Sequence, residues 1–414
     1  MDKVRRSIMI GLATMASGVS IETLANQNKK TGSRKLIKNS QGAGQTKEKL
    51  EKSMLDLKYD LAFPSHHQGS SYLEKLTNIQ NFMRSQGLKE EQYCRGDAIT
   101  QLEDKIANLF GKEAALWCPT GTLAQSIAIR IHGEKTGRKK LQMHPSCHIL
   151  IHENRGFERA HGFTEIVSGK WRETLSADHV DPTAACMVVE MGQRHSGGLL
   201  PGWHELQALK QRAKMLEVPL HMDGARIWST RQHYNNRSLA EISDGFSSVY
   251  VSFYKDIGAI GGAALIGDAD FIMQARDWRE RLGGLVSEHW PQVCDTLRLL
   301  DKKLIQVENN VGLAKKYAQF ISSITDLPVF PKVPQVNLFH VLLPYTSAQA
   351  KQAHLYAAQE SGIWLTNAFW NYENPNECAM EITINETASI VPEHELNQAL
   401  SIFFKHLDKI AAKT

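Results

Sequence analysis

The chain has little cysteine for its length: six residues in 414, at positions 94, 118, 147, 186, 294 and 378, with no Cys-x-x-Cys pair among them. That spacing supplies neither the ligand set of a zinc site nor a disulfide framework, and thiols inside apolar runs such as AACMVVEM behave as small buried hydrophobes. No metal site is expected. Basic charge is scarce where it would matter. The formal charge is +4, yet residues 1–50 hold ten Lys/Arg against three Asp/Glu, and the remainder carries 38 against 41. A nearly neutral body lacks the positive field that displaces counterions from phosphates, so nucleic acid is not an expected partner. Apolar runs long enough to cross a bilayer are missing beyond the N-terminal stretch. There is no internal repeat either.

What is present is an ordinary globular composition, 42% hydrophobic and 22% charged, with length enough for a large domain and a smaller one. Residues 1–27 place Lys3, Arg5 and Arg6 before the stretch IMIGLATMASGVS and a polar end, which is the plan of a secretory signal. The Arg5-Arg6 pair points to twin-arginine export. The expected location is then periplasmic or secreted, and cytoplasmic if these residues instead form an amphipathic helix lying on the body; no membrane association is expected once a leader is removed. Residues 28–48, polar and rich in Lys, Gly and Ser, read as a flexible linker.

From residue 98 onward, helix-like and strand-like segments alternate. TQLEDKIANLF and GWHELQALKQRAKML carry apolar residues near every 3.6 positions, whereas AALWC, AACMVVEM, VPLHMD and SSVYVSFY have strand length. Strands separated by helices predict an α/β fold with a mostly parallel sheet covered on both faces. Beyond about residue 285 a long helical region, PQVNLFHVLL, AMEITI and a final helix near HELNQALSIFFKHLDKIA predict a small C-terminal α+β domain. The expected division is a large domain with an N-terminal arm over 49–300 and a small one over 301–414.

Ligands of parallel sheets sit beyond the carboxyl ends of the strands. VPLHMD ends at Asp223, SSVYVSFY is followed by Lys255, and AALWC is followed by Pro119-Thr120-Gly121-Thr122 at a helix start. Singly, each has an ordinary reading: a turn aspartate, a solvated lysine, a tight turn with an N-cap. Together they are what a pyridoxal 5′-phosphate (PLP) site requires. A lysine amine meets the aldehyde, a carboxylate keeps the pyridine nitrogen protonated, and a helix N-terminus with its free N–H groups holds the phosphate.

The runs HMDGARIWST, SFYKDIGAIGGAALIGDADFI with ARDWRERLGG, and LFGKEAALWCPTGTLAQ resemble the threonine aldolase and β-eliminating lyase family of fold type I PLP enzymes, over roughly residues 90–290. The resemblance implies Lys255 as the Schiff-base lysine, Asp223 as the partner of the ring nitrogen, and Gly121 and Thr122 as the phosphate cradle. It implies His148 as the histidine over the cofactor ring and a candidate base, and Arg226 as the grip on the substrate carboxylate. It also implies a homodimer or homotetramer and a small amino-acid substrate.

Four departures stand out. Where the family carries a histidine in a Glu-Asn-Thr-His segment, the chain reads Glu190-Met191-Gly192-Gln193, and Gln193 cannot take a proton from a β-hydroxyl. Alignment places Glu381 where the family has a second carboxylate-binding arginine, so Gln193 and Glu381 are the expected substrate contacts. Leu285-Val286-Ser287-Glu288 replaces an Arg-Gln segment, and Tyr93, Arg95 and Asp97 occupy the neighbourhood of the family's N-terminal motif. The expected activity is cleavage or formation of the Cα–Cβ bond of a β-hydroxy-α-amino acid, giving glycine and an aldehyde, with His148 or a neighbour such as His195 as the base. β-Elimination or transamination on the same scaffold, and a non-catalytic PLP-binding protein, are the alternatives.

Overall fold

The computed structural model describes residues 61–62, 71–89, 91–371 and 374–412, so the leader and linker expectations lie outside the described residues. Seven strands form the main sheet: Ala114–Cys118 (β1), Lys140–Met143 (β2), Thr164–Val167 (β3), Cys186–Glu190 (β4), Leu220–Gly224 (β5), Ser248–Ser252 (β6) and Ala263–Gly267 (β7). Their spatial order is β1-β7-β6-β5-β4-β2-β3. Only β7 runs against the rest, antiparallel to both β6 and β1. Residues of β4 to β7 are buried throughout, as expected for strands covered on both faces.

Helices supply that cover. On one face, Gly121–Thr136 and Ala269–Arg281 pack Ala124, Ile127, Ala128, Ile131, Phe271, Ile272 and Ala275 against Leu116, Tyr250 and Leu265 of the sheet. On the other, Asp97–Phe110, Trp203–Met215 and the start of the 35-residue helix Trp290–Ile324 close over the larger core. That long helix passes through the expected boundary at residue 300. Val293 to Val307 belong to the core of the large domain, and Ala314 to Ile321 to that of the small one, so one rigid element joins both cores.

The small domain is built on Val329–Phe330 (β8), Leu338–Leu343 (β9), Phe369–Asn371 (β10) and Cys378–Thr383 (β11), paired antiparallel in the order β10-β11-β9-β8. Helices Ser347–Ser361 and Glu393–Ala411 cover it, the latter through Leu396, Leu400, Phe403 and Leu407. Among the described residues no helix is long and apolar enough to cross a membrane.

Asp223 is the penultimate residue of its strand. His148 opens the short helix His148–Ile151 in the connection between β2 and β3. AALWC is the edge strand farthest from β3.

Candidate active site

Parallel register brings the polar ends of three strands into one row. Glu190 stands opposite Asp223, and Asp223 opposite Tyr250, and because opposed residues share a face of the sheet their side chains project together. All three are buried. Asp223 accepts from Gln125 Nε2 at 2.6 Å through Oδ2 and from the Ala225 N–H at 3.1 Å through Oδ1.

Behind Asp223 the polar contacts have one consistent order. Gln125 Oε1 can only accept, so His221 Nε2, 2.8 Å away, carries the proton. His221 Nδ1 is then an acceptor, so Ser248 Oγ donates to it at 2.7 Å and accepts from His132 Nε2 at 2.7 Å. Burial pushes both His132 and His221 down to about 3, so both rings are neutral. Every donor hydrogen bond in the chain His132–Ser248–His221–Gln125 runs toward Asp223.

Lys255 follows β6 on a tight return of the backbone. Gly258 N–H donates to the Lys255 carbonyl at 3.0 Å, Ala259 N–H to that of Phe253 at 2.9 Å, and Phe253 N–H to that of Gly262 at 3.1 Å. Gly262 takes φ +94°, and a Cβ there would stand 1.7 Å from the ring of Trp117. That residue must be glycine for the loop to close over Trp117, which itself stacks on Phe253 at 5.7 Å. Lys255 is thereby held half-buried, where its charge bears on Glu190, Glu153, Asp256 and His152.

The segment expected to cradle a phosphate opens the helix Gly121–Thr136, with Thr120 as its N-cap accepting from Leu123 N–H at 3.2 Å. Gly121 lies directly on Tyr250: a Cβ would meet its Oη at 2.1 Å and Cζ at 2.5 Å. Thr122 is exposed on the first turn. The helix N-terminus, with unpaired N–H groups and the positive end of its dipole, therefore opens beside the Asp223 row.

His148 places Nδ1 3.2 Å from Glu153 Oε1, and its backbone N–H donates to Glu190 Oε2 at 3.3 Å. Burial raises the Glu153 carboxyl, and burial together with the Asp223 charge pushes Glu190 up to about 7. Arg226, buried, reaches Asp256 Oδ1 through Nη1 at 3.2 Å, and Asn337 and Ser229 also donate to that carboxylate. Among the described residues, the Arg226 side chain makes this one hydrogen bond. Gln193 is buried, and its Oε1 has no hydrogen-bond partner among the described residues.

Glu381 is bound by the chain itself. Arg194 grips it in a two-point ion pair, Nε to Oε2 at 2.8 Å and Nη2 to Oε1 at 2.9 Å, while Trp370 Nε1 donates at 3.0 Å and Thr383 Oγ1 at 3.1 Å. Burial opposes the charge, but the Arg194 guanidinium overcomes it and holds the carboxyl well below the usual range. A free substrate-facing carboxylate at this position, as expected from the alignment, is thus replaced by an internal pair across the two domains. Beside it lie two residues that sequence reasoning passed over, His152 and Trp370: His152 has its Nε2 2.6 Å from Nε2 of His195, the neighbour expected as an alternative base, and Trp370 stands edge-on to both rings.

The site fits PLP on its own geometry. Asp223, Glu190 and Glu153 are buried carboxylates, and none forms an ion pair with an arginine or lysine among the described residues. A protonated ring nitrogen at Asp223 would supply the missing positive charge. Gly121 leaves open the space beside Tyr250 that a side chain would fill, and Lys255 supplies the amine.

Comparison with known proteins agrees. The profile described as Beta-eliminating lyase matches residues 77–343. The chain is 24% identical over 284 residues to low-specificity L-threonine aldolase 1 of Arabidopsis thaliana, covering 64% of this chain and 77% of that protein. It is 27% identical over 203 residues to the low specificity L-threonine aldolase of Escherichia coli strain K12, covering 47% and 60%. A structure from Listeria monocytogenes EGD-E, provisionally named an L-allo-threonine aldolase, superposes with a TM-score of 0.78 at 27% identity, over 87% of this chain and 99% of that one. Serine palmitoyltransferase of Sphingomonas wittichii, at 14% identity, shares the fold with a TM-score of 0.64 over 85% and 88% of the two chains.

Proposed function

The chain belongs to the β-eliminating lyase family, and from that premise we propose that it is a PLP-dependent lyase that cleaves, or in reverse forms, the Cα–Cβ bond of a β-hydroxy-α-amino acid. The observation that carries this reading is the meeting of Lys255, Asp223 and the Gly121 cradle at one end of the sheet. Lys255 would hold the cofactor covalently, Asp223 its ring nitrogen, the backbone of Gly121 and Thr122 with the Thr122 hydroxyl its phosphate, and His148 its ring face. When bound there, PLP is an electron sink for a breaking Cα bond.

The chain's own residues decide which bond breaks. The ordered donors behind Asp223 hold that carboxylate in place through Gln125. Arg226 binds the substrate carboxylate with the N–H groups that Asp256 leaves free, and a guanidinium plane fixed at one edge by Asp256 holds the substrate's orientation. Burial of Asp223, Glu190 and Arg226 keeps water from the side of the substrate turned to the sheet. A base near the β-carbon must take the β-hydroxyl proton, and the histidines beside Glu153 and Glu190 are the groups available for it.

The test is incubation of PLP-loaded protein with a panel of β-hydroxy-α-amino acids, measuring glycine and aldehyde in equal amounts. Release of ammonia with a keto acid, without glycine, would replace retro-aldol cleavage by β-elimination.

A further inference from the structure

We propose that His152 and His195 act as one base: His152 takes the β-hydroxyl proton of the substrate through Nδ1, and His195 shares the resulting positive charge through the Nε2–Nε2 contact. The inference rests on the lyase reading above and names the proton acceptor that reading leaves open.

Geometry singles out the pair. His152 stands four residues beyond His148, so the two lie on one side of the short turn that follows β2, with ring centroids 5.1 Å apart. His152 is exposed to the cleft and near enough to Lys255 for that charge to act on it. His195 is buried directly behind, at 2.6 Å, with its ring stacked on His152 at 4.8 Å and 22°. Trp370 closes on His195 at 4.4 Å and Trp171 at 6.3 Å, both edge-on, so the buried ring has little freedom to turn. Trp370 is fixed in turn by its hydrogen bond to Glu381.

The other candidates are committed elsewhere. Gln193 has no lone pair basic enough to accept a proton. His148 donates Nδ1–H to Glu153 and, in the lyase reading, is the ring that lies over the cofactor face, which leaves the β-hydroxyl proton to its neighbour. In the His152–His195 contact one nitrogen must carry hydrogen and the other a lone pair, because two lone pairs at 2.6 Å would repel. When His152 is the donor, its Nδ1 carries a lone pair with no hydrogen bond among the described residues, on a residue that is exposed. Both rings are neutral at pH 7, since burial with Arg194 nearby, and Lys255 beside His152, lowers them to about 4 for His152 and about 3 for His195.

The step balances. The O–H bond of the β-hydroxyl breaks and an N–H bond forms at His152 Nδ1. The O–H electron pair becomes the second bond of the aldehyde carbonyl as Cα–Cβ breaks, and the Cα–Cβ pair stays with the glycine fragment. That fragment takes one proton at Cα from water before leaving, and the pair releases the proton it holds to water, so the protons balance and nothing is oxidised or reduced. His195 accepts the Nε2–H of the imidazolium during the step; it positions and stabilises His152 without touching substrate.

The test uses PLP-loaded protein, the substrate threo-phenylserine, whose benzaldehyde product absorbs in the ultraviolet, and a control that needs no β-hydroxyl base, exchange of the glycine α-proton with deuterium followed by NMR. His152→Gln should lower kcat for benzaldehyde release about 100-fold, with KM and glycine exchange changed by no more than roughly twofold. His195→Phe, which keeps the ring packing on Trp370, should lower kcat about tenfold with the same split, as expected for loss of one charge-assisted hydrogen bond. Added imidazole should restore cleavage to His152→Gly. Unchanged kcat in His152→Gln, or a parallel loss of cleavage and glycine exchange, overturns the proposal. Wild-type protein that exchanges the glycine proton yet releases no aldehyde from any β-hydroxy amino acid overturns the lyase reading itself.

Discussion

Replacing Gly121 by alanine probes the phosphate cradle with a single methyl group. The new Cβ would lie 2.1 Å from Tyr250 Oη, 2.5 Å from Cζ and 2.8 Å from Cε2, so ring or helix must retreat by about 1.3 Å to reach the 3.4 Å at which ordinary contact begins. Tyr250 cannot simply swing away, because it is buried in the central strand opposite Asp223 and its ring packs on the helix side of the sheet. Overpacking of this kind costs about 1–3 kcal/mol. If the helix yields, its first N–H groups withdraw from the cradle and that cost falls on cofactor binding, where 1.4 kcal/mol is about tenfold in affinity. Fluorescence titration of the apoprotein with PLP should show a dissociation constant raised by about 5- to 150-fold. Tyr250→Phe in the same background removes the nearest atom but leaves Cζ, so affinity should recover only in part. PLP affinity and thermal stability both equal to wild type in Gly121→Ala would refute the placement of the cradle.

Two further predictions follow from the buried charges. The Glu190 carboxyl is raised to about 7 in the folded apoprotein, so the native state holds a proton that the unfolded chain has lost above about pH 4.5. Its contribution to stability is therefore complete below pH 4.5 and lost as pH rises through 7, by about 3 kcal/mol in total; urea unfolding across that range should show the slope in wild type and not in Glu190→Gln. Glu381→Ala strands the Arg194 guanidinium in the domain interface and should cost about 3 kcal/mol by urea unfolding; a loss below about 1 kcal/mol would mean the pair behaves as an exposed one.

The framework of the site is legible in the sequence because Asp223, Lys255 and the Gly121 turn each fall at a strand end, and strand ends are where parallel sheets bind ligands. Their supports are not. Gln125 meets Asp223 across 98 residues and His132 meets Ser248 across 116, contacts set by strand register and helix packing rather than by local pattern. Glu381 shows the limit most clearly. Alone it suggests a substrate contact, yet its partner Arg194 is 187 residues away and only the docking of the small domain reveals the pair. Asp256 stands next to Lys255 in plain view, but its role depends on Arg226 arriving from the neighbouring strand end. His152 carries a weak signal in sequence, a second histidine four residues after His148, which acquires meaning only when His195 closes behind it.

The central claim is that PLP bonds to Lys255 in the pocket made by Asp223 and Gly121. Borohydride reduction of PLP-loaded protein, followed by peptide mapping in a mass spectrometer, tests it most directly. The phosphopyridoxyl group should be found on the peptide carrying Lys255, and Lys255→Ala should lose both that adduct and the visible absorbance of the loaded protein. A label on another lysine, or a wild-type protein that carries none, would contradict the account.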